Sequence, residues 1–258
     1  MNGKFLFLGT GGSLGVPEVG CRCEVCRSTT PQNKRFRSSG LLTINDKKLL
    51  IDVGPDIRSQ ALAFQVERLD GVLITHPHYD HIGGLDDLRI YYFLQKKPLP
   101  CLLSRDTLSE LQQRYHYMMR PILPGKSITA QIDFQILEQD FGTQSFLDIP
   151  IEYMTYTQTG MNVTGFRVGG FAYISDIREY TDEVVKRLQG VDLLILSALR
   201  HTPTLMHFSL DEAVSFSRQT QAKRTYFTHI AHDLDQDSTN RMLPSDIRLG
   251  YDGLEILF

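Results

Sequence analysis

The chain has 258 residues, 41% of them hydrophobic, with a formal net charge of -3 and a sequence pI near 6.2. That length buries one sizeable core, so a single domain over residues 1–258 is expected, and the acidic balance supplies no basic field to draw nucleic acid phosphates. The N-terminal apolar run of four residues is too short for a signal-peptide core. No segment approaches the roughly 18 apolar residues of a membrane span, which makes a soluble, cytoplasmic protein the expectation.

In chain order, a β-type run at Lys4–Leu8 leads into a glycine loop and then into three clustered cysteines, Cys21, Cys23 and Cys26. The polar stretch Ser28–Ser39 reads as a surface loop whose Lys34, Arg35 and Arg37 are solvated charge, with an approach to an anionic substrate as the alternative. Strands follow at Gly40–Ile44 and Lys48–Asp52, a helix at Ile57–Phe64, and a strand at Gly71–Thr75. Helical periodicity returns at Gly84–Lys96 and Thr107–Met119, on either side of a strand at Leu99–Leu103 that buries Cys101. Further strands are expected at Gln131–Leu137, Val163–Val168, Phe171–Ser175, Val191–Leu196 and Arg224–Thr228. Helices are expected at Thr181–Leu188, N-capped by Thr181, and at Leu210–Gln219, N-capped by Ser209 with Glu212 at the capping-box spacing. Strands first, then strands interleaved with helices, favour an α/β fold of two sheets between helices over a doubly wound sheet.

The segment from Leu73 to Gly84 runs from a strand end to a helix start and places His76, His78, Asp80 and His81 within six residues. Imidazole nitrogen and carboxylate oxygen on one tight turn suit zinc, manganese or iron, and Pro77 keeps that turn from becoming helix. The cysteine trio, in a chain without secretory signals, reads as metal ligation before it reads as disulfides. Three thiolates leave one place in tetrahedral zinc, and His232, three residues beyond His229, is the candidate for it.

The run His76-x-His78-x-Asp80-His81 resembles the HxHxDH signature of the metallo-β-lactamase superfamily. The resemblance implies a four-layer αββα sandwich, an orienting role for Asp52 at the end of its strand, a metal-bridging Asp176 after Tyr173-Ile174-Ser175, and a last ligand at His229 after Tyr226-Phe227-Thr228. The family also places a histidine shortly before a Gly-Phe-Arg stretch. Here Gly165-Phe166-Arg167 follows Gln158, and no histidine lies between His116 and His201. Gln158 therefore aligns with a ligand position where its amide oxygen is a weaker donor than imidazole. The ion held by His76 and His78 should accordingly bind more weakly than the one held by Asp80, His81, Asp176 and His229.

Gly9-Thr10-Gly11, Gly15-Val16-Pro17 and the cysteine trio, together with HxHxDH and His229-x-x-His232, are similar to the PhnP-like phosphodiesterase branch. What that implies is a structural zinc, one or two catalytic manganese or zinc ions, and hydrolysis of a small cyclic phosphodiester by metal-activated water. The branch also implies that His207 acts as general acid toward the leaving oxygen, beside the metal-held Asp80. The expected partner is a small cyclic nucleotide or cyclic sugar phosphate, with no membrane or nucleic acid partner and a homodimer as the candidate assembly. The rival readings are a PqqB-like metal-binding protein with little hydrolase activity, favoured by Gln158, and a nuclease, disfavoured by the charge.

Overall fold

The computed structural model describes residues 3–119 and 128–258. Among these residues, the first sheet holds seven strands: β1 (Gly3–Gly9), β2 (Ser39–Ile44), β3 (Lys47–Ile51), β4 (Gly71–Leu73), β5 (Leu99–Ser104), β6 (Ile132–Leu137) and β14 (Glu255–Leu257), in the order β14-β1-β2-β3-β4-β5-β6. The second also holds seven: β7 (Phe141–Phe146), β8 (Ile149–Gln158), β9 (Met161–Val168), β10 (Phe171–Ile174), β11 (Leu193–Ser197), β12 (Thr225–Thr228) and β13 (Ile247–Leu249), in the order β13-β12-β11-β10-β9-β8-β7. Pairing is parallel from β3 through β6 and from β10 through β13, and antiparallel elsewhere.

Side chains alternate across each strand, and here both faces are buried, which explains the near-continuous apolar runs of the parallel strands. On β11, Leu193 and Ile195 enter the core between the sheets, while Leu194 and Leu196 meet the helices outside. The inner core joins Phe5, Phe7, Leu42 and Ile51 to Phe166, Phe171 and Tyr173. Outside the first sheet, Leu50, Val72 and Leu103 pack on Ile57, Leu85, Tyr91 and Leu111. Outside the second, Ala172 and Ile174 pack on Val184, Leu188, Ala213 and Phe216. Helix, sheet, sheet, helix is the four-layer arrangement expected from the sequence.

The helices are α1 (Glu24–Arg27), α2 (Ile57–Ala63), α3 (Tyr79–Ile82), α4 (Arg89–Gln95), α5 (Arg105–Arg114), α6 (Asp182–Leu188), α7 (Leu210–Thr220) and α8 (Gln236–Met242). The Ser209–Glu212 capping box is present in full, but Thr181 caps α6 by position only, without a side-chain hydrogen bond. The expected helix at Gly84–Lys96 is a 3-10 turn, Leu85–Leu88, followed by α4. Helix α5 starts earlier than expected, because Ser104 accepts from the Thr107 N–H, and it ends at Arg114. Pro77 does not keep the histidine segment out of helix: its φ restriction ends before Tyr79, where α3 begins. Strands β7, β8, β13 and β14 were not expected. The stretch Ser28–Ser39 is only partly surface, since Arg35 is buried, donating to Thr10 Oγ1, the Gly250 carbonyl and Gln236 Oε1. Cys101 is fully buried in β5. Among the described residues, no helix is long and apolar enough to cross a membrane.

Candidate metal centre

Apart from Asp80 and His81 on α3, each candidate site residue lies at or just beyond the end of a strand. Asp52 follows β3, His76 and His78 follow β4, Gln158 ends β8, Asp176 follows β10 and His229 follows β12. Three of these residues, Asp52, Asp176 and His229, hold left-handed backbone, with φ of 62°, 51° and 57°. Non-glycine residues adopt this conformation at a cost, and it recurs where a chain must turn sharply to aim a side chain.

The structure brings the expected residues together in two clusters that share Asp176. Ligand atoms of His76, His78 and Asp176 lie within 4.8 Å of one another, as do those of Asp80, His81 and His229. Asp176 Oδ2 is 3.5 Å from His76 Nε2 and 3.6 Å from His81 Nε2, while its Oδ1 is 3.4 Å from His229 Nε2. Asp80 Oδ2 stands 3.3 Å from His229 Nε2 and 3.4 Å from His81 Nε2. Donors on one tetrahedral ion with bonds of about 2.0–2.1 Å lie roughly 3.3–3.4 Å apart, so the spacing fits divalent cations. Among the described residues, the buried Nε2 atoms of His76 and His81 have no hydrogen-bond partner, as suits atoms kept for a cation.

Partners behind the ligands fix their orientation. Asp52 Oδ2 accepts from His81 Nδ1 at 2.7 Å and Asp52 Oδ1 from the Thr75 N–H at 2.9 Å, contacts through which an orienting role for this aspartate would act. Ser175 Oγ donates to Asp176 Oδ1 at 2.8 Å. Sequence reasoning did not single out Thr75 or Ser175, although each directly precedes a candidate ligand.

Burial, reinforced by the charge of His81, holds His76 well below the usual imidazole range, and burial lowers His78 as well. Burial acts the same way on His81, but Asp80, Asp52 and Asp176 outweigh it and raise His81 well above that range. Burial would raise Asp176 and Asp80, yet the imidazoles facing them hold both carboxylates low. A proton retained at His81 is one that a cation would displace.

Gln158 is buried beside the first cluster with its amide nitrogen, not its oxygen, turned inward. Nε2 lies 3.4 Å from Asp176 Oδ2 and 3.2 and 3.1 Å from the two ring nitrogens of His207. A carbonyl in that place would set two acceptors face to face, so the amide turns its donor to Asp176 and leaves Oε1 buried without a partner among the described residues. His207 stacks on His229 with ring centroids 4.8 Å apart, and its Nδ1 is 4.0 Å from Asp176 Oδ2. It thus shares a ligand-sized cluster with Asp176 and His229. Burial lowers its pKa to about 4. His116 and His201 are exposed, and neither joins a cluster among the described residues.

A family model described as "Beta-lactamase superfamily domain" matches residues 47–230, which hold both histidine clusters. The chain belongs to the metallo-β-lactamase superfamily. A new diphosphatase from the PhnP family has a crystal structure matching this superfamily member with a TM-score of 0.92 at 34% identity, covering 100% of this chain and 98% of that one. That likeness places the chain in the PhnP-like branch. The octanoyltransferase of Porphyromonas gingivalis (strain ATCC BAA-308 / W83) is 33% identical over 266 residues, or 98% of this chain and 51% of that protein. The chain therefore spans about half the length of that relative. Zn(2+)-bound PqqB from Methylobacterium extorquens matches with a TM-score of 0.80 at 18% identity, over 98% of this chain and 99% of that one, which shows the shared fold alone.

This superfamily member carries a second donor cluster, formed by Cys21, Cys23, Cys26 and His232. His232 Nδ1 lies 3.1, 3.6 and 3.4 Å from the three sulfurs in that order, and its Nε2 is 3.6 Å from Glu18 Oε1. The Cys26 backbone N–H pulls the Cys23 thiol down to about 7, while burial pushes Cys26 up to about 11. Three sulfurs and one imidazole form a closed set suited to zinc. Ile230, between His229 and His232, donates to the Thr10 carbonyl at 2.8 Å and accepts from the Gly12 N–H at 3.0 Å. These bonds tie the glycine loop after β1 to the segment that carries His229 and His232.

Proposed function

We propose that this metallo-β-lactamase-fold protein is a metal-dependent phosphodiesterase acting on a small cyclic phosphodiester, either a cyclic nucleotide or a cyclic sugar phosphate. The observation that carries the reading is the pair of cation-sized clusters sharing Asp176, with His207 alongside. Divalent ions held there by His76, His78, Asp80, His81, Asp176 and His229 would supply an activated water and neutralise phosphoryl oxygens. The chain's own residues do the rest. Asp52 and Ser175 hold the ligands in register, and His207, 4.0 Å from the shared carboxylate, stands where a leaving oxygen would need a proton. An anionic substrate beside His207 would raise its pKa from the low value that burial imposes.

A second reading is supported by the diphosphatase of the PhnP family, whose named activity concerns a phosphoric anhydride rather than an ester. The same clusters would serve either bond. A third, a PqqB-like metal-binding protein with little hydrolase activity, draws its support from Gln158. The transferase activity named for the Porphyromonas gingivalis relative belongs to a protein of about twice the matched length, and the metal centre does not argue for it.

The deciding experiment is turnover of bis(p-nitrophenyl) phosphate with added manganese or zinc. It is followed by a panel of cyclic phosphates, diphosphate anhydrides and single-stranded DNA. Preference for cyclic phosphates supports the first reading and preference for anhydrides the second. Metal uptake without turnover of any substrate would leave the third.

A further inference from the structure

Thr75 Oγ1 lies 2.9 Å from His76 Nδ1, and 3.0 and 2.9 Å from the two carboxylate oxygens of Asp52. All three residues are fully buried, so no solvent competes for these contacts. A hydroxyl carries one proton, and a carboxylate can only accept. The Thr75 proton therefore goes to Asp52, and the hydroxyl oxygen accepts from His76. It follows that His76 carries its own proton on Nδ1 and leaves Nε2 bare. Nε2 is the partnerless atom that faces Asp176 Oδ2. His81 needs no relay, because its Nδ1 reaches Asp52 directly at 2.7 Å.

We propose that Thr75 is a positioning residue that relays Asp52 to His76 and so fixes the tautomer His76 needs to bind a cation. One buried carboxylate then sets a ligand in each cluster, His81 by contact and His76 through the Thr75 hydroxyl. The proposal rests on the reading of the clusters as metal sites and adds to it a division between them. Loss of the hydroxyl should affect the His76 side alone, whereas loss of the carboxylate should affect both.

Thr75→Val keeps the side-chain shape. It also keeps the backbone bonds of residue 75, from its N–H to Asp52 Oδ1 and from the Thr164 N–H to its carbonyl, both 2.9 Å. Without an acceptor at Nδ1, the His76 proton is free to move to Nε2, which then points its N–H toward Asp176 Oδ2. A cation must then displace that proton. Loss of such an outer partner weakens metal binding by about 10–100-fold.

The test has two arms. In metal-free protein, 15N chemical shifts of the histidine rings should report the Nδ1-protonated form of His76 in wild type and in Thr75→Ser, and a shift toward the Nε2-protonated form in Thr75→Val. In titrations against a chelator, with ions per chain counted by elemental analysis, Thr75→Val should weaken one histidine-cluster ion by about 10–100-fold and leave the other unchanged. Thr75→Ser should restore the loss, and Asp52→Asn should weaken both ions. An Nε2-protonated His76 in wild type, or equal affinity of both ions in wild type and Thr75→Val, would overturn the relay. Wild type that shows the expected tautomer yet takes up no ion at either cluster would instead overturn the metal-site reading, and with it the relay's purpose.

Discussion

Gln158→His is the substitution that most directly probes how this centre departs from its family. The second cluster presents four donors, Asp80, His81, His229 and the shared Asp176, whereas the first presents His76, His78 and Asp176 with an amide nitrogen facing inward. Gln158 Nε2 is 3.4 Å from Asp176 Oδ2, close to the 3.5 Å that separates His76 Nε2 from the same oxygen. A nitrogen donor at 158 is thus already spaced to join the first ion. Four-ligand zinc sites contribute about 10–16 kcal/mol, which makes one ligand worth on the order of 3 kcal/mol. At 1.4 kcal/mol per tenfold, that is roughly a hundredfold in Kd. We expect wild type to bind one catalytic ion tightly and the second only at higher concentration. Gln158→His should tighten the weaker ion by roughly a hundredfold, leave the stronger one unchanged, and reduce the dependence of activity on added metal. Chelator-buffered titrations with elemental analysis would measure both constants. Two equally tight histidine-cluster ions in wild type would refute the argument, as would a weak ion that Gln158→His leaves weak.

Three further outcomes follow from other parts of the structure. Wild-type protein should retain close to one zinc per chain after mild chelation, and simultaneous Cys21→Ser, Cys23→Ser and Cys26→Ser should abolish it and lower Tm, because metal binding is coupled to folding. A wild type without retained zinc would reject the closed site. His207→Ala should slow esters with poor leaving groups by about 10²–10⁴-fold while sparing p-nitrophenyl esters, whose leaving group needs little protonation; equal losses on both would point to binding instead. Burial raises Asp252, which accepts from Thr10 Oγ1 and the Phe36 N–H, to about 6, above its unfolded value. The folded chain then binds this proton more tightly than the unfolded one, so the stability it contributes is present in acid and lost as pH rises through about 4 to 6. The amount is at most about 3 kcal/mol, less for its partial exposure. Asp252→Asn should flatten the stability-against-pH curve in that window, and unchanged slopes would show that Asp252 is not responsible.

The centre was legible in the sequence wherever ligands sit on one turn or directly behind an apolar strand. HxHxDH needs no tertiary information, and Asp176 and His229 follow strands whose two buried faces leave an apolar run. The β7–β8 hairpin was not legible. Its strand Phe141–Phe146 is half exposed and rich in Gly, Thr, Gln and Ser. Its turn uses Leu147 and Asp148 at φ of 53° and 65°, without the Asn-Gly or Asp-Gly signal that such turns usually carry. Strands β13 and β14, at three residues each, are too short to show a period. The contact of Gln158 with His207 joins positions 49 residues apart, and the bond from Thr75 to His76 depends on where Asp52 arrives from another strand. Neither follows from local pattern. Arg35 misled for a similar reason, since a charged residue in a polar stretch reads as solvated until its buried partners Thr10, Gln236 and Gly250 are known.

The left-handed backbone at Asp52, Asp176 and His229 bears on how such a protein drifts under selection. Glycine would relieve that backbone, since a non-glycine residue held there costs of order 1–3 kcal/mol, but at Asp52 the relief is offset by the buried Thr75 and His81 donors that its carboxylate satisfies. Selection for thermal robustness alone would therefore favour replacing Asp176 and His229, and the survivors would be sturdy chains with a blank strand end where a candidate ligand had been. A stability screen on this protein, run without an activity filter, should enrich glycine at 176 and 229 while retaining aspartate at 52. The persistence of aspartate and histidine at 176 and 229 would then mark the part of the fold maintained by what the protein does rather than by how well it holds together.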